Sequence, residues 1–443
     1  MTSRLIQRVV FAFVVSLILL LFTSCEKEQD SDRTPVNNIP AKPASCDHDN
    51  GGLILPDGFC AGIVADNLGF IRHLVVNNNG DLYVTLRNQR LNLGGIIGLR
   101  DTDQDGKMDR MEKFSDIPGM GIAVHSGYLY FAADRAIYRY KLIPGELIPM
   151  RPPQIIVSDL PEQSLHAGKS FAMDDSGWIY VNIGAPSNAC QADDQVTGSA
   201  GMDPCPQLDK QGGIWRFSAT INAQTQDKDG YRFASGIRNA YAIAWHPSVN
   251  QLYIVQHGRD QLNELWPGLY SAEQGAKLPA EEFLLVKQDG IYGWPYCYYD
   301  QIQSKWILAP EYGGNGETTD RCAQYPEPLI AFPGHYGPND LKFYTGKQFP
   351  ERYHNGAFIA FHGSYNRGPY EQVGYQVVFV PFQGTIPSGD WEVFIDGFAG
   401  AGGVTLPEDA DYRPTGLAVG QDGSLYVSDS IQGRIWRIFY TGQ

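Results

Sequence analysis

The 443-residue chain is short of positive charge, with 34 Lys and Arg against 49 Asp and Glu and a net charge of −15. A protein that binds a polyanion needs a basic face, so nucleic acid is excluded as a partner. The Ala, Glu, Lys and Leu bias of a coiled coil or helical bundle is missing, and 49 glycines speak against both. None of the seven cysteines forms a Cys-x-x-Cys, so there is no metal or redox pair of that kind and no Cys-x-x-Cys-His for a covalently held haem. Long hydrophobic runs are also lacking, apart from Val9 to Phe22. What the chain does have is 43% hydrophobic and 12% aromatic residues, which rules out disorder. The remainder is a large, turn-rich globular protein, built as one large all-β domain or two smaller ones.

Arg4 and Arg8 precede the one apolar run, which at about 14 residues falls short of the roughly 20 that span a bilayer. A basic start and a short apolar core read as a secretory signal. The run ends in Leu21-Phe22-Thr23-Ser24-Cys25, which resembles a bacterial lipoprotein cleavage box. That resemblance implies removal of residues 1–24, acylation of Cys25 and a lipid anchor to a membrane of the cell envelope, periplasmic or surface-exposed. Residues 25–52, acidic from Glu26 to Asp32 and then spaced by prolines, read as a flexible tether, and 53–443 as the folded domain. With Cys25 lipidated, six cysteines remain, an even number suited to an oxidising compartment. Nearest-neighbour pairing would give Cys46–Cys60, Cys190–Cys205 and Cys297–Cys322.

One pattern recurs six times: a turn, usually with Gly, followed by a strand rich in Tyr, Val and Ile. It begins at Asn79-Gly80, Ser126-Gly127, Ser176-Gly177, Asn250-Gln251, Asn355-Gly356 and Asp422-Gly423. Glycine accepts the positive φ of a tight hairpin, and strands are visible on both sides of these turns. Each unit is a small antiparallel meander that cannot bury both faces alone, so the copies are expected to pack radially. The fold predicted is an all-β, six-bladed propeller with four-stranded antiparallel blades. Long insertions at 185–212 and 265–350 would shape one mouth of its axial funnel.

Two groups of residues could carry chemistry. Asp101, Asp103, Asp105 and Asp109, with Gly106 for the turn and Glu112 at the twelfth position, fit a calcium-binding loop set between strands. The second group comprises His166-Ala167-Gly168-Lys169, Gly236-Ile237-Arg238-Asn239 running on to Trp245-His246-Pro247, His257-Gly258-Arg259-Asp260 with Glu264, and Tyr292-Gly293-Trp294-Pro295. These segments flank the repeated strands, whose equivalent ends converge on the axis of a propeller.

Through these segments, with Tyr412-Arg413-Pro414-Thr415-Gly416, residues 53–440 resemble the soluble quinoprotein sugar dehydrogenases of the aldose (glucose) and sorbosone types, which use pyrroloquinoline quinone (PQQ). The resemblance implies a PQQ-dependent oxidation of a sugar or sugar-derived aldehyde, with electrons leaving to an external acceptor. Arg238, Arg367 and Arg413 would pair with the cofactor's carboxylates, and Asn239 would hydrogen-bond its quinone. A second Ca²⁺ would sit on the backbone carbonyls of Gly258 and Arg259 as a Lewis acid. His166 would be the general base, and Arg238 would also stabilise the developing oxyanion.

The chain departs from the glucose-oxidising pattern in three places. Leu165 stands where an Asp precedes the His, His362-Gly363-Ser364-Tyr365-Asn366-Arg367-Gly368 replaces a Lys-bearing stretch, and Asp411-Tyr412-Arg413 replaces Arg-Tyr-Arg. Two cations are thereby lost unless Arg367, Arg72 or His362 compensates, and the sorbosone type fits better than glucose. The rival readings are a Ca²⁺-dependent lactonase, which would need carboxylates along the axis, and a non-catalytic propeller that binds a sugar or a protein.

Overall fold

The computed structural model describes residues 45–442, apart from 89, 90 and 92. The signal segment, Cys25 and the tether as far as residue 44 lie outside the described residues. Six antiparallel sheets form six blades, and each sheet begins with the strand nearest the axis. These first strands are Ile71–Val76, Gly119–His125, Phe171–Met173, Ala242–His246, Pro338–Phe343 and Pro414–Val419. Each packs on the first strand of the next blade, and the sixth returns to the first, which closes the ring.

All six sequence turns join the first strand of a blade to its second. Gly80, Gly127, Gly177 and Gly423 hold φ between +72° and +90° there. In the fourth and fifth blades Asn250 and Asn355 take the left-handed position instead, at +51° and +60°. Asparagine tolerates that region better than other side chains, so Gln251 in place of Gly costs the fourth turn nothing.

Because side chains alternate across a strand, each blade offers one apolar face to each neighbour. In the strand Gln251–Gln256, Leu252 and Ile254 pack towards the third blade while Tyr253 and Val255 pack towards the fifth. The same alternation produces six wedge-shaped cores, one between each pair of adjacent blades. Near the axis the backbones come so close that glycine is required. A Cβ on Gly416 would lie 2.6 Å from the Arg72 carbonyl of the neighbouring blade.

Two of the blades carry a fifth, parallel edge strand, an addition to the four expected. The last blade takes its outer strand, Phe59–Ala65, from the start of the domain, paired with Ile435–Tyr440. Residues 46–52 are fastened to this seam, which moves the expected tether boundary. Cys46 is bonded to Cys60, Asp47 receives the Ile63 amide at 2.7 Å, and Trp436 donates to the Gly51 carbonyl at 3.1 Å. The other two disulfides, Cys190–Cys205 and Cys297–Cys322, each tie a local insertion, as nearest-neighbour pairing anticipated.

Candidate active site

In an antiparallel pair, the start of the first strand and the end of the second lie at the same end. Six segments meet there. His166, Arg238, His335 and Arg413 precede first strands, while His257–Asp260 and His362 follow or end second strands. Together with Arg72 and Tyr365 they surround or back a cavity of about 280 Å³ over the axis.

His166 is held in a narrow geometry. Its backbone sits at φ +52°, a strained value for a large side chain. Gln163 Nε2 clamps it by donating to the carbonyls of Leu165, His166 and Gly184 at 2.8, 3.1 and 2.9 Å. Gly184 is obligatory, since a Cβ there would stand 2.7 Å from both His166 Cβ and Asn239 Oδ1. The imidazole Nδ1–H donates to the Ala185 carbonyl at 2.8 Å, because a carbonyl can only accept. Nε2 is therefore the nitrogen with the lone pair. Burial, reinforced by the Arg238 charge, holds the ring well below the usual histidine range, so it is neutral.

Arg238 is buried and bound on several sides. Nε donates to the Asn188 carbonyl, Nη1 to the Gly258 carbonyl at 2.8 Å, and Nη2 to Asn188 Oδ1 and to Asp260 Oδ2 at 2.8 Å. Four of the five guanidinium N–H groups are thus engaged, and one on Nη1 has no partner among the described residues. Asp260 Oδ1 accepts from Asn366 Nδ2 at 2.5 Å and lies 3.5 Å from His335 Nδ1. Burial opposes ionisation of Asp260, but Arg238 and His335 outweigh it and hold the carboxyl well below its usual range. Burial likewise acts to lower His335, and Asp260 more than offsets it, so the ring is raised.

Arg72 is the cavity's uncompensated cation. Its only hydrogen bond among the described residues is a long one, 3.4 Å from Nε to the Arg87 carbonyl, and no carboxylate pairs with it. Burial, then the charge of Arg87, lowers it to about 10. A guanidinium with this little support in a cavity wall marks a place for an anion. Glu281 spans the opposite wall, accepting from the Gly258 and Gly337 amides at 2.9 and 3.2 Å, and burial pushes it up to about 7.

The sequence pattern of the TrAA12-like family matches residues 53–441. The chain belongs to the TrAA12-like family. Its propeller superposes on the calcium structure of a Trichoderma reesei carbohydrate-active enzyme of family AA12 with a TM-score of 0.71 at 18% identity, covering 91% of this chain and 99% of that one. The holo form of the PQQ domain of Coprinopsis cinerea pyranose dehydrogenase gives 0.68 at 18% identity, covering 90% and 99%. At these identities the likeness is one of fold. An uncharacterised protein of Borreliella burgdorferi is 26% identical over 224 residues, which are 50% of this chain, and the chain spans about half the length (51%) of that curated relative.

Several side chains of this TrAA12-like protein do not stand where the sequence put them. Asn239 is fully buried behind the wall with both ends of its amide spent: Oδ1 accepts from Asn182 at 2.9 Å and Nδ2 meets His257 Nδ1 at 3.4 Å. It orients His257, whose Nε2–H donates to the Pro338 carbonyl at 2.7 Å and whose ring burial lowers to about 4. The Arg259 side chain turns away to a buried pair with Glu311 at 2.5 Å, so only its backbone is left for the site. Arg367 donates to the Ala276 and Glu371 carbonyls and ties its own loop to the helix Ala272–Lys277 outside the cavity. Arg413 stands one layer back and holds the rim through the carbonyls of His362, Gly363 and Ser364. His246 sits at the far, turn end of its strand, stacked on Phe343 at 4.1 Å.

The loop expected from sequence to bind calcium lies between the third and fourth strands of the first blade, at the end away from the cavity. Carboxylate oxygens of Asp101, Asp103 and Asp105 gather within 4.8 Å of one another. Asp109 does not join them, because it caps the loop through the amide and hydroxyl of Thr102. Nor does Glu112, which pairs with Arg110 at 2.6 Å on the following strand. Asp260 was visible only as part of a motif, and Glu281, His335 and Tyr365 were not singled out as site residues. The one available signal for Glu281 was a pair of acids opening an otherwise apolar strand, Glu281–Val286.

Proposed function

We propose that this TrAA12-like protein is a PQQ-dependent dehydrogenase that oxidises a sugar or sugar-derived aldehyde of the aldose or sorbosone type and passes the electrons to an external acceptor. The observation that carries the reading is the pairing, in one cavity, of an uncompensated Arg72 guanidinium with a neutral His166. PQQ is a planar tricarboxylate, and the cavity fits it: Arg72 offers an unspent cation, where Arg367 offers none. When bound, the cofactor would supply the hydride acceptor, and the backbone carbonyls of Gly258 and Arg259 would hold a Ca²⁺ that supplies Lewis acidity.

The chain's own residues do the rest. His166 Nε2 accepts the proton of the substrate hydroxyl, and Ala185 keeps that nitrogen unprotonated by taking the other N–H. The remaining Nη1–H of Arg238 stabilises negative charge on the substrate oxygen as its proton leaves. Asp260 and Asn188 lock the guanidinium so that little reorganisation is needed.

A structural Ca²⁺ on Asp101, Asp103 and Asp105 belongs to the same proposal. Its support is that Asp101 Oδ1 is buried without a hydrogen-bond partner among the described residues. The proposed address, a lipid on Cys25 in a bacterial cell envelope, rests on the signal run, and three disulfides agree with an oxidising compartment. The lactonase reading loses ground, since the two carboxylates lining the cavity among the described residues are spent, Asp260 on two cations and Glu281 on two amides. The test is to add PQQ and Ca²⁺ to the purified protein and follow dye reduction across several sugars. Sugar-dependent reduction that His166→Ala abolishes is the expected result. Lactone hydrolysis without cofactor, or sugar binding without reduction, would replace the proposal with one of its rivals.

A further inference from the structure

A second recess of about 170 Å³ opens beside the cavity and shares Leu165, Arg238, Asp260, Tyr365 and Asn366 with it. Its outer wall comes from elements the proposed chemistry does not use. Gln195 lies on the loop stapled by Cys190–Cys205, while Gln261 and Glu264 lie on the turn and short helix after Asp260. The two parts of this wall are joined, because Thr197 Oγ1 donates to the Glu264 carbonyl at 3.3 Å and the Gly198 amide donates to the Leu265 carbonyl at 3.0 Å. Behind it, Trp294 Nε1 donates to the Asn188 carbonyl at 3.0 Å, and Asn188 bonds the Asp260 backbone through both ends of its amide. The recess is therefore built and held rigid.

Its chemistry is distinct from that of the cavity. Gln195 and Gln261 both hold left-handed φ, +57° and +63°. The Gln195 carboxamide is spent on Asp194 Oδ2 at 3.4 Å, so it is at Gln261 that this cost points to a use for the side chain. The Gln261 side chain makes no hydrogen bond among the described residues, and the Glu264 carboxylate has no cation partner there. Tyr365, 65% exposed, stands at the partition between the two spaces. The one cation present, Arg238, is already paired with Asp260. The Gln261 carboxamide, the Glu264 carboxylate and the exposed Tyr365 face suit a neutral polyhydroxyl ring, and the carboxylate repels anions.

We propose that this recess is a subsite for a second sugar unit, glycosidically joined to the one being oxidised, so that the substrate is an oligosaccharide end and not a free monosaccharide. The inference rests on the dehydrogenase reading and adds the substrate class to it. The test compares cellobiose and maltose with glucose, and xylobiose with xylose, on the PQQ- and Ca²⁺-loaded protein, alongside Gln261→Gly and Glu264→Gln. Glycine relieves the left-handed backbone while removing the carboxamide, so the first variant keeps the fold. The expected result is a kcat/KM at least about tenfold higher for a disaccharide than for its monosaccharide, lost in both variants while the monosaccharide value stays. Equal values for disaccharides and monosaccharides, or a preference that both variants keep, would overturn the subsite and leave the dehydrogenase standing. No reduction with any sugar would instead remove the reading beneath it, and calorimetric titration of cellobiose would then show whether the recess still binds a disaccharide or is empty of that role.

Discussion

His166 donates its Nδ1–H to the carbonyl of Ala185 at 2.8 Å, and that single bond decides which ring nitrogen is a base. Burial and the Arg238 charge hold the ring below 6.5, so the basic form persists as the pH falls through that value. The acid limb of kcat/KM should accordingly lie well below pH 6.5. His166→Ala should lose on the order of a hundred- to ten-thousandfold in kcat. A limb at or above 6.5 would mean that another group is the base.

Arg72 and Arg367 make a discriminating pair. Arg72 faces the cavity without a carboxylate, while Arg367 is spent on two carbonyls outside it. Arg72→Met should weaken PQQ binding on the order of ten- to a hundredfold, the worth of a charge-assisted hydrogen bond. Arg367→Met should leave the dissociation constant unchanged. Fluorescence titration of the two variants decides the matter, and the reverse order would restore the expectation from sequence.

Lys169 is fully buried beside the axis, with Nζ donating to the Ala167 carbonyl at 2.6 Å. Burial lowers it to about 8 from 10.5, with Asp134 pulling the other way. Between those two values the unfolded chain binds the extra proton, so this group's contribution makes stability rise with pH. Below pH 8 the buried charge is a full penalty of a few kcal/mol by order of magnitude. Lys169→Met should therefore be the more stable protein at pH 7, with the gap closing as the pH rises from 8 to 10.5. A gap of constant size across thermal melts in that range would contradict the assignment.

The Ca²⁺ site proposed on Asp101, Asp103 and Asp105 predicts a chelation effect. Asp103→Asn should lower the melting temperature in Ca²⁺ and make it less sensitive to chelator, while sugar oxidation is preserved because the loop lies at the far end of its blade. An unchanged melting temperature would show the three aspartates to be a solvated turn.

The ring itself was legible in the sequence because its signals are local. A Gly or Asn at a left-handed turn and an alternating strand need no tertiary context, and six copies fix the number of blades. The wall segments were legible for the same reason, since they adjoin the repeats. Side-chain direction was not. Arg238 and Arg259 both adjoin the wall, yet Arg259 finds Glu311, 52 residues away, and leaves the cavity. Asn239 is likewise withdrawn by Asn182, a partner from another blade. Glu281 was hidden because nothing in its strand marks the Gly337 amide that meets it from the next blade.

The most direct test of the account is titration of the cofactor-free protein with PQQ in the presence of Ca²⁺, followed by quinone absorption. Saturation at one PQQ per chain in the micromolar range, weakened in Arg72→Met, is the predicted result. No uptake at micromolar concentration, or uptake indifferent to Arg72, would contradict it.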